Sequence, residues 1–167
     1  MSNKWDVELL TELEGILGEI GFIPTIEDFN GKPVLVMEYS GGIACEDCNL
    51  SVEHLTDDIT AIGVLFTLKS DLDEKQTSDI VRLLPYLNKY LSFGAFSVLE
   101  EEGFFCFTAS FIIKEDCDRS IIINSISNAL TLGLFTTGRA LEITLPVISG
   151  EASAEELMNE ESIIFQL

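Results

Sequence analysis

The sequence predicts an α+β domain: an antiparallel sheet of about five strands with helices packed on it, in the order α-β-β-β-α-β-β-α. Three observations carry this reading. Residues 104–113, Phe-Phe-Cys-Phe-Thr-Ala-Ser-Phe-Ile-Ile, contain no Pro and no charge. Successive side chains on a strand point to opposite faces, so Phe105, Phe107, Ala109, Phe111 and Ile113 form a core face. Phe104, Cys106, Thr108, Ser110 and Ile112 form a face that is small and mildly polar in its middle. Residues 60–69 repeat the asymmetry, with Ile62, Val64, Phe66 and Leu68 against Ala61, Gly63, Leu65 and Thr67. Finally, stretches of helical spacing precede, separate and follow the strands.

The first helix spans 5–20. Trp5, Leu9, Leu13, Ile16, Leu17 and Ile20 fall on one stripe, with Glu8, Glu12 and Glu19 off it. Gly21 suits the position after a helix end, and Pro24 forbids continuation. Asp28-Phe29-Asn30-Gly31-Lys32 is a turn signal. A strand follows over 33–39, with Pro33 at its first residue, and Ser40-Gly41-Gly42 breaks it. Residues 49–55 read as a short second strand, with Leu50, Val52 and His54 on one face. Thr56-Asp57-Asp58 turns the chain into the strand at 60–69.

Asp71-Leu72-Asp73 opens a second helix over about 73–91, its acidic residues suiting the positive helix N-terminus. Ile80, Leu83, Leu84, Leu87, Tyr90 and Leu91 make its stripe. Pro85 predicts a kink or break, because its ring clashes with the carbonyl of Val81. Ser92-Phe93-Gly94 leads into a hairpin from 95 to 113, turning at Glu100-Glu101-Glu102-Gly103. A third helix is expected over about 118–136, stopped by Gly138-Arg139, with a short strand or extended arm at 141–145.

A length of 167 residues suggests one domain, taken here as 1–148. Residues 149–167 form an acidic C-terminal extension whose Ala154, Leu157, Met158, Ile164 and Phe165 are apolar enough to dock a short helix. The formal charge is −20, from 9 Lys and Arg against 29 Asp and Glu. That argues against nucleic acid, which is bound by neutralising phosphates, and against an anionic membrane surface. The N-terminus has no signal-peptide pattern, and no apolar run approaches the roughly 18 residues that a membrane span needs. Four Cys without a secretory signal point to reduced thiols in a cytoplasmic setting.

The element order, the Asp71-Leu72-Asp73 lead into the second helix and the Phe-rich strand 104–113 together resemble the YbjN family and the wider type III secretion chaperone-like fold. The resemblance covers about residues 5–136. It implies a twisted antiparallel sheet with helices packed on it, often dimeric, and binding rather than catalysis. Secretion chaperones hold extended protein segments, and YbjN-like proteins are described as sensory-transduction regulators. The expected partner is therefore a protein or peptide segment, with a homodimer as the family's usual state, and the protein is not an enzyme. No cofactor is expected. The working surface expected from the strand faces is Cys106, Thr108 and Ser110.

Cys45-Glu46-Asp47-Cys48 is the one motif with chemistry in it. A C-x-x-C pair can be a redox couple or half of a zinc site. Cys48 runs into an extended stretch rather than a helix, and Glu46 and Asp47 raise thiol pKa values by like-charge repulsion. Cys106, Cys117 and His54 are not spaced as a second pair of zinc ligands. The bland reading is a turn that holds two Cys; the alternative function is a thiol- or zinc-dependent sensor or enzyme. His54 is the only His, and no nucleophile motif accompanies it. Glu100-Glu101-Glu102 and Asp57-Asp58 read as solvated turns.

Overall fold

A computed structural model describes residues 4–5, 7–19, 22–39, 45–89, 91–114 and 116–159. Side chains of Lys4, Trp5 and Tyr39 are outside the description, as are Ile20, Gly21, Ser40-Gly41-Gly42, Tyr90 and the tail from Glu160, on which sequence expectations fell.

The elements run β1 (Lys4–Trp5), α1 (Val7–Glu19), β2 (Phe22–Phe29), β3 (Lys32–Tyr39), β4 (Asp47–Thr56), β5 (Ile59–Lys69), α2 (Glu74–Leu87), β6 (Ala95–Leu99), β7 (Phe104–Lys114), α3 (Arg119–Ile148) and α4 (Ala154–Asn159). The fold is α+β, with an open antiparallel sheet in the order β2-β3-β4-β5-β7-β6 and β1 paired to β4. Contacts divide the chain into two compact units, each made of three separate stretches.

In the first unit (1–42, 47–65 and 109–132), α1 packs on β2, β3 and β4. Leu9, Leu10, Leu13 and Leu17 are buried, each stabilising the fold by about 1.5–3 kcal/mol relative to exposure. They sit in a core with Leu35, Met37, Leu50, Val52, Ile62 and Val64. Leu10 lies beside the expected stripe, and Trp5 is not helical: its backbone pairs with Glu53.

The strand β2 was not expected from sequence. It pairs with β3 through the two-residue turn Asn30-Gly31, whose φ values of 56° and 80° are those of a type I′ hairpin. A two-residue hairpin hydrogen-bonds Phe29 to Lys32 and then every second pair, so Pro24, opposite Met37, turns its missing N–H away from β3. Proline is tolerated there because β2 is an edge strand. The same feature blunts the edge against a further strand.

In the second unit (43–46, 66–108 and 133–167), Phe66, Phe96, Phe105 and Phe107 form an aromatic core. Phe107 stands 6.1 Å from Phe66 and 5.0 Å from Phe96 between ring centroids. Helix α2 packs on β6 and α4 and begins with a capping box: Gln76 N donates to Asp73 Oδ1 and Asp73 N donates to Gln76 Oε1, both at 2.8 Å. It remains helical through Pro85 and ends at Leu87, where Asn88 caps it. No break occurs at the proline, and the helix stops earlier than the expected 91.

Helix α3 departs most from expectation. It is one helix of 30 residues, with no stop at Gly138-Arg139 and no strand at 141–145. A glycine costs a helix about 1 kcal/mol relative to Ala. Burial of Thr137, Ala140, Ile143, Thr144 and Val147 on one side outweighs it, and Arg139 pairs with Glu142 one turn on. The alternation of Leu141 to Leu145 also fits this helical spacing. By length and composition alone α3 is apolar enough to cross a membrane, and 33% of its most apolar window is buried within the fold. It ends at Ile148 and the chain turns at Gly150, whose φ of +77° is easy only for glycine. Within the acidic extension, α4 buries Ala154 and Leu157.

Candidate functional site

The first unit leaves one face of its sheet without a helix. Cross-strand register puts Thr25 opposite Val36 and Val36 opposite Asn49, so these side chains share a face. Val34 and Ser51 extend it. A Cβ on Gly63 would stand 2.8 Å from Ser51 Oγ, which places Gly63 on the same side. Alternation then brings Ala61 and Leu65 with it. On β7 the outward alternates are Ser110 and Ile112, and Ile112 is 67% exposed. The opposite alternates, Leu35, Met37, Leu50, Ile62 and Val64, are buried. The open face is thus small and β-branched in its middle, with Ile23 exposed at its β2 end and Glu27 and Glu38 exposed beside it.

This face also holds Asn49, the one side chain among the described residues with a buried and unsatisfied polar atom. Its Nδ2 donates to Asp47 Oδ1 at 2.8 Å, while its Oδ1 has no donor. Such an acceptor costs about 1–3 kcal/mol.

The expected working residues divide. Ser110 is exposed on the open face of the first unit. Thr108, in the second unit, is exposed and its Oγ1 donates to the Ala95 carbonyl at 3.5 Å. Cys106 is a correction: it is 1% exposed and offers nothing to a partner. Phe66, Thr67 and Leu68 are buried in succession, as are Phe105, Cys106 and Phe107. Adjacent strand residues face opposite ways, so in the second unit the sheet is covered on both sides.

The Cys45-to-Cys48 segment is built around its glutamate. Glu46 N donates to the Thr67 carbonyl at 2.7 Å. Glu46 Oε1 accepts from Lys69 Nζ at 2.6 Å, and Oε2 accepts from Ser70 N at 2.8 Å and Ser70 Oγ at 2.6 Å. Partial burial raises the carboxyl's pKa, but these hydrogen bonds and the Lys69 charge outweigh it and hold Glu46 below the usual carboxylate range. Cys45 is half-buried, and Cys48 is 1% exposed on the core side of β4. A thiol so enclosed is a poor partner for exchange, which needs access. Among the described residues no group of three or more His, Cys, Asp or Glu is placed to hold a metal ion. His54 Nδ1 shares a 2.8 Å hydrogen bond with Thr60 Oγ1.

The second unit contains a cleft of about 650 Å³ between the start of α2 and the β6–β7 turn. Asp71, Glu74, Glu100, Glu101 and Glu102 line it with Leu72 and Val81. Leu72 N donates to the Gly103 carbonyl at 3.0 Å and ties its two walls. The glutamate run read from sequence as a solvated turn is therefore one wall of a concavity. The run was its only signal.

No family model and no curated protein matches the chain.

Proposed function

We propose that this chain is a non-enzymatic, cytoplasmic protein-binding module, chaperone-like or regulatory in the manner of the YbjN and type III secretion chaperone-like proteins it resembles. Its docking surface is the open sheet face of the first unit, and its ligand is a protein segment. The observation that carries this reading is the run of Val34, Val36, Ala61, Leu65 and Ile112, apolar or small side chains on the helix-free face, the first four half-buried and Ile112 exposed. Both sheet edges favour a face over an edge as the contact: Pro24 blunts β2, and Asn88 occupies the backbone of Phe96 on β6. Glu27 and Glu38 beside the face suit a segment whose apolar residues are flanked by Lys or Arg.

The test is a photo-crosslinking residue at Ser110 in the full chain, activated in native cell extract. The expected result is one recurrent protein adduct that Ile112→Asp abolishes. Repeated recovery of no adduct above the uncrosslinked control overturns the reading. Light scattering on the purified protein measures the homodimer that the resemblance implies.

A further inference from the structure

A small cavity in the first unit runs against the charge of the chain. Its volume is about 110 Å³, well above the roughly 10–15 Å³ that admits one water. His54 from β4, Thr60 from β5, Lys114 from β7 and Arg119 from α3 line it. The chain has 9 Lys and Arg and a single His against 29 acidic residues. Two of those cations and that His nevertheless converge on one cavity from separate elements. The remaining walls are aliphatic: Leu9, Ile62, Ile113 and Ile122. Mostly apolar walls with a few placed polar groups are the ordinary make-up of a small-molecule site.

We propose that this cavity binds a small organic monoanion, a short-chain carboxylate. Its carboxylate meets Lys114 and Arg119, and its hydrocarbon tail lies on the Ile and Leu walls. Arg119 Nε donates to Glu12 Oε2 at 2.9 Å. Among the described residues Lys114 makes no ion pair, and its ammonium is the charge that a single carboxylate meets. The Glu12 bond also fixes the guanidinium, and the Thr60 hydroxyl fixes the His54 ring at 2.8 Å. A site whose polar groups are already held loses less entropy on binding. A dianion such as phosphate gains nothing from the aliphatic walls and is opposed by Glu12 and by the chain's net charge.

The experiment is two-dimensional amide NMR on the full chain, titrated separately with butyrate, acetate, n-butanol and inorganic phosphate. Butyrate is expected to shift the amides of His54, Thr60, Lys114 and Arg119 saturably. Lys114 is exposed, so Lys114→Gln keeps the rest of the spectrum while weakening butyrate by about tenfold or more. Ile122→Thr is expected to weaken butyrate and leave acetate unchanged. Absence of saturable shifts at these amides overturns the proposal. So does equal butyrate affinity in Lys114→Gln, or phosphate or butanol binding as tightly as butyrate.

Discussion

The side-chain amide of Asn88 takes the place of a neighbouring strand for Phe96. Asn88 Nδ2 donates to the Phe96 carbonyl at 2.9 Å, and the Phe96 N–H donates to Asn88 Oδ1 at 2.7 Å. In an antiparallel ladder one residue turns its N–H and its C=O the same way, so both of these groups face away from Phe107, opposite Phe96. Asn88 is also the C-cap of α2, its own N–H donating to the Leu84 carbonyl at 2.9 Å. One residue thus ends a helix and closes a sheet edge. Asn88→Ala is expected to lower stability by about 1–3 kcal/mol through the two orphaned backbone groups. It is also expected to cause concentration-dependent self-association through the opened edge. Urea denaturation and light scattering read the two effects; unchanged values in both would remove the edge-closing role.

Gly133 is expected to reject the best helix former. A Cβ there would stand 2.2 Å from Phe66 Cε2 and 2.4 Å from Cζ. Phe66 is fully buried and packed against Phe107, so its ring has nowhere to retreat. Gly133→Ala gains about 1 kcal/mol in helix propensity. Overpacking costs about 1–3 kcal/mol, and the net is a loss. A rise in the urea midpoint would show that the ring gives way.

The two faces of β7 predict opposite responses. Phe107→Ala empties a fully buried position and should cost about 3–5 kcal/mol. Ile112→Ala, two-thirds exposed at 67%, should change stability by less than about 0.5 kcal/mol. Similar losses at both positions would mean a register shifted by one residue, since a slip exchanges the faces.

Glu46 gives the fold a pH dependence. Its carboxyl is held below the usual glutamate value of about 4.5 in the folded protein. A group whose pKa is depressed on folding stabilises above its unfolded pKa, and that contribution disappears as pH falls through the folded value. Wild type should therefore exceed Glu46→Gln in melting temperature at neutral pH. The gap should narrow below about pH 4.5. A gap independent of pH would assign the effect to the hydrogen bonds alone.

Much of this arrangement is legible in the sequence because it is written locally. The alternation at 104–113, the turn at Asn30-Gly31 and the helix opening at Asp71-Leu72-Asp73 all appear as expected. Strand β2 escaped because a lone Pro and an exposed acidic half hide an edge strand, where only Phe22 is buried. The length of α3 escaped because Gly138 is a stop only where packing does not override it. Cys106 escaped because alternation says which residues share a face, and distant segments decide whether that face is covered. The cavity around Lys114 joins five elements spread along the sequence and leaves no local trace.

Each compact unit is assembled from three stretches of chain, and both draw on α3. The first unit needs residues up to 132 and the second needs those from 133 onward. A chain emerging from the ribosome therefore cannot complete the first unit before residue 132, or the second before its C-terminal stretch has been made. Phe66, Phe96, Phe105 and Phe107 are synthesised ahead of the stretch 133–167 that completes their unit, in which Gly133 stands against the Phe66 ring. Contacts this distant in sequence also make for slow folding. The nascent chain thus passes through a long interval as an aggregation-prone intermediate, and its −20 charge keeps such intermediates apart from one another during that wait.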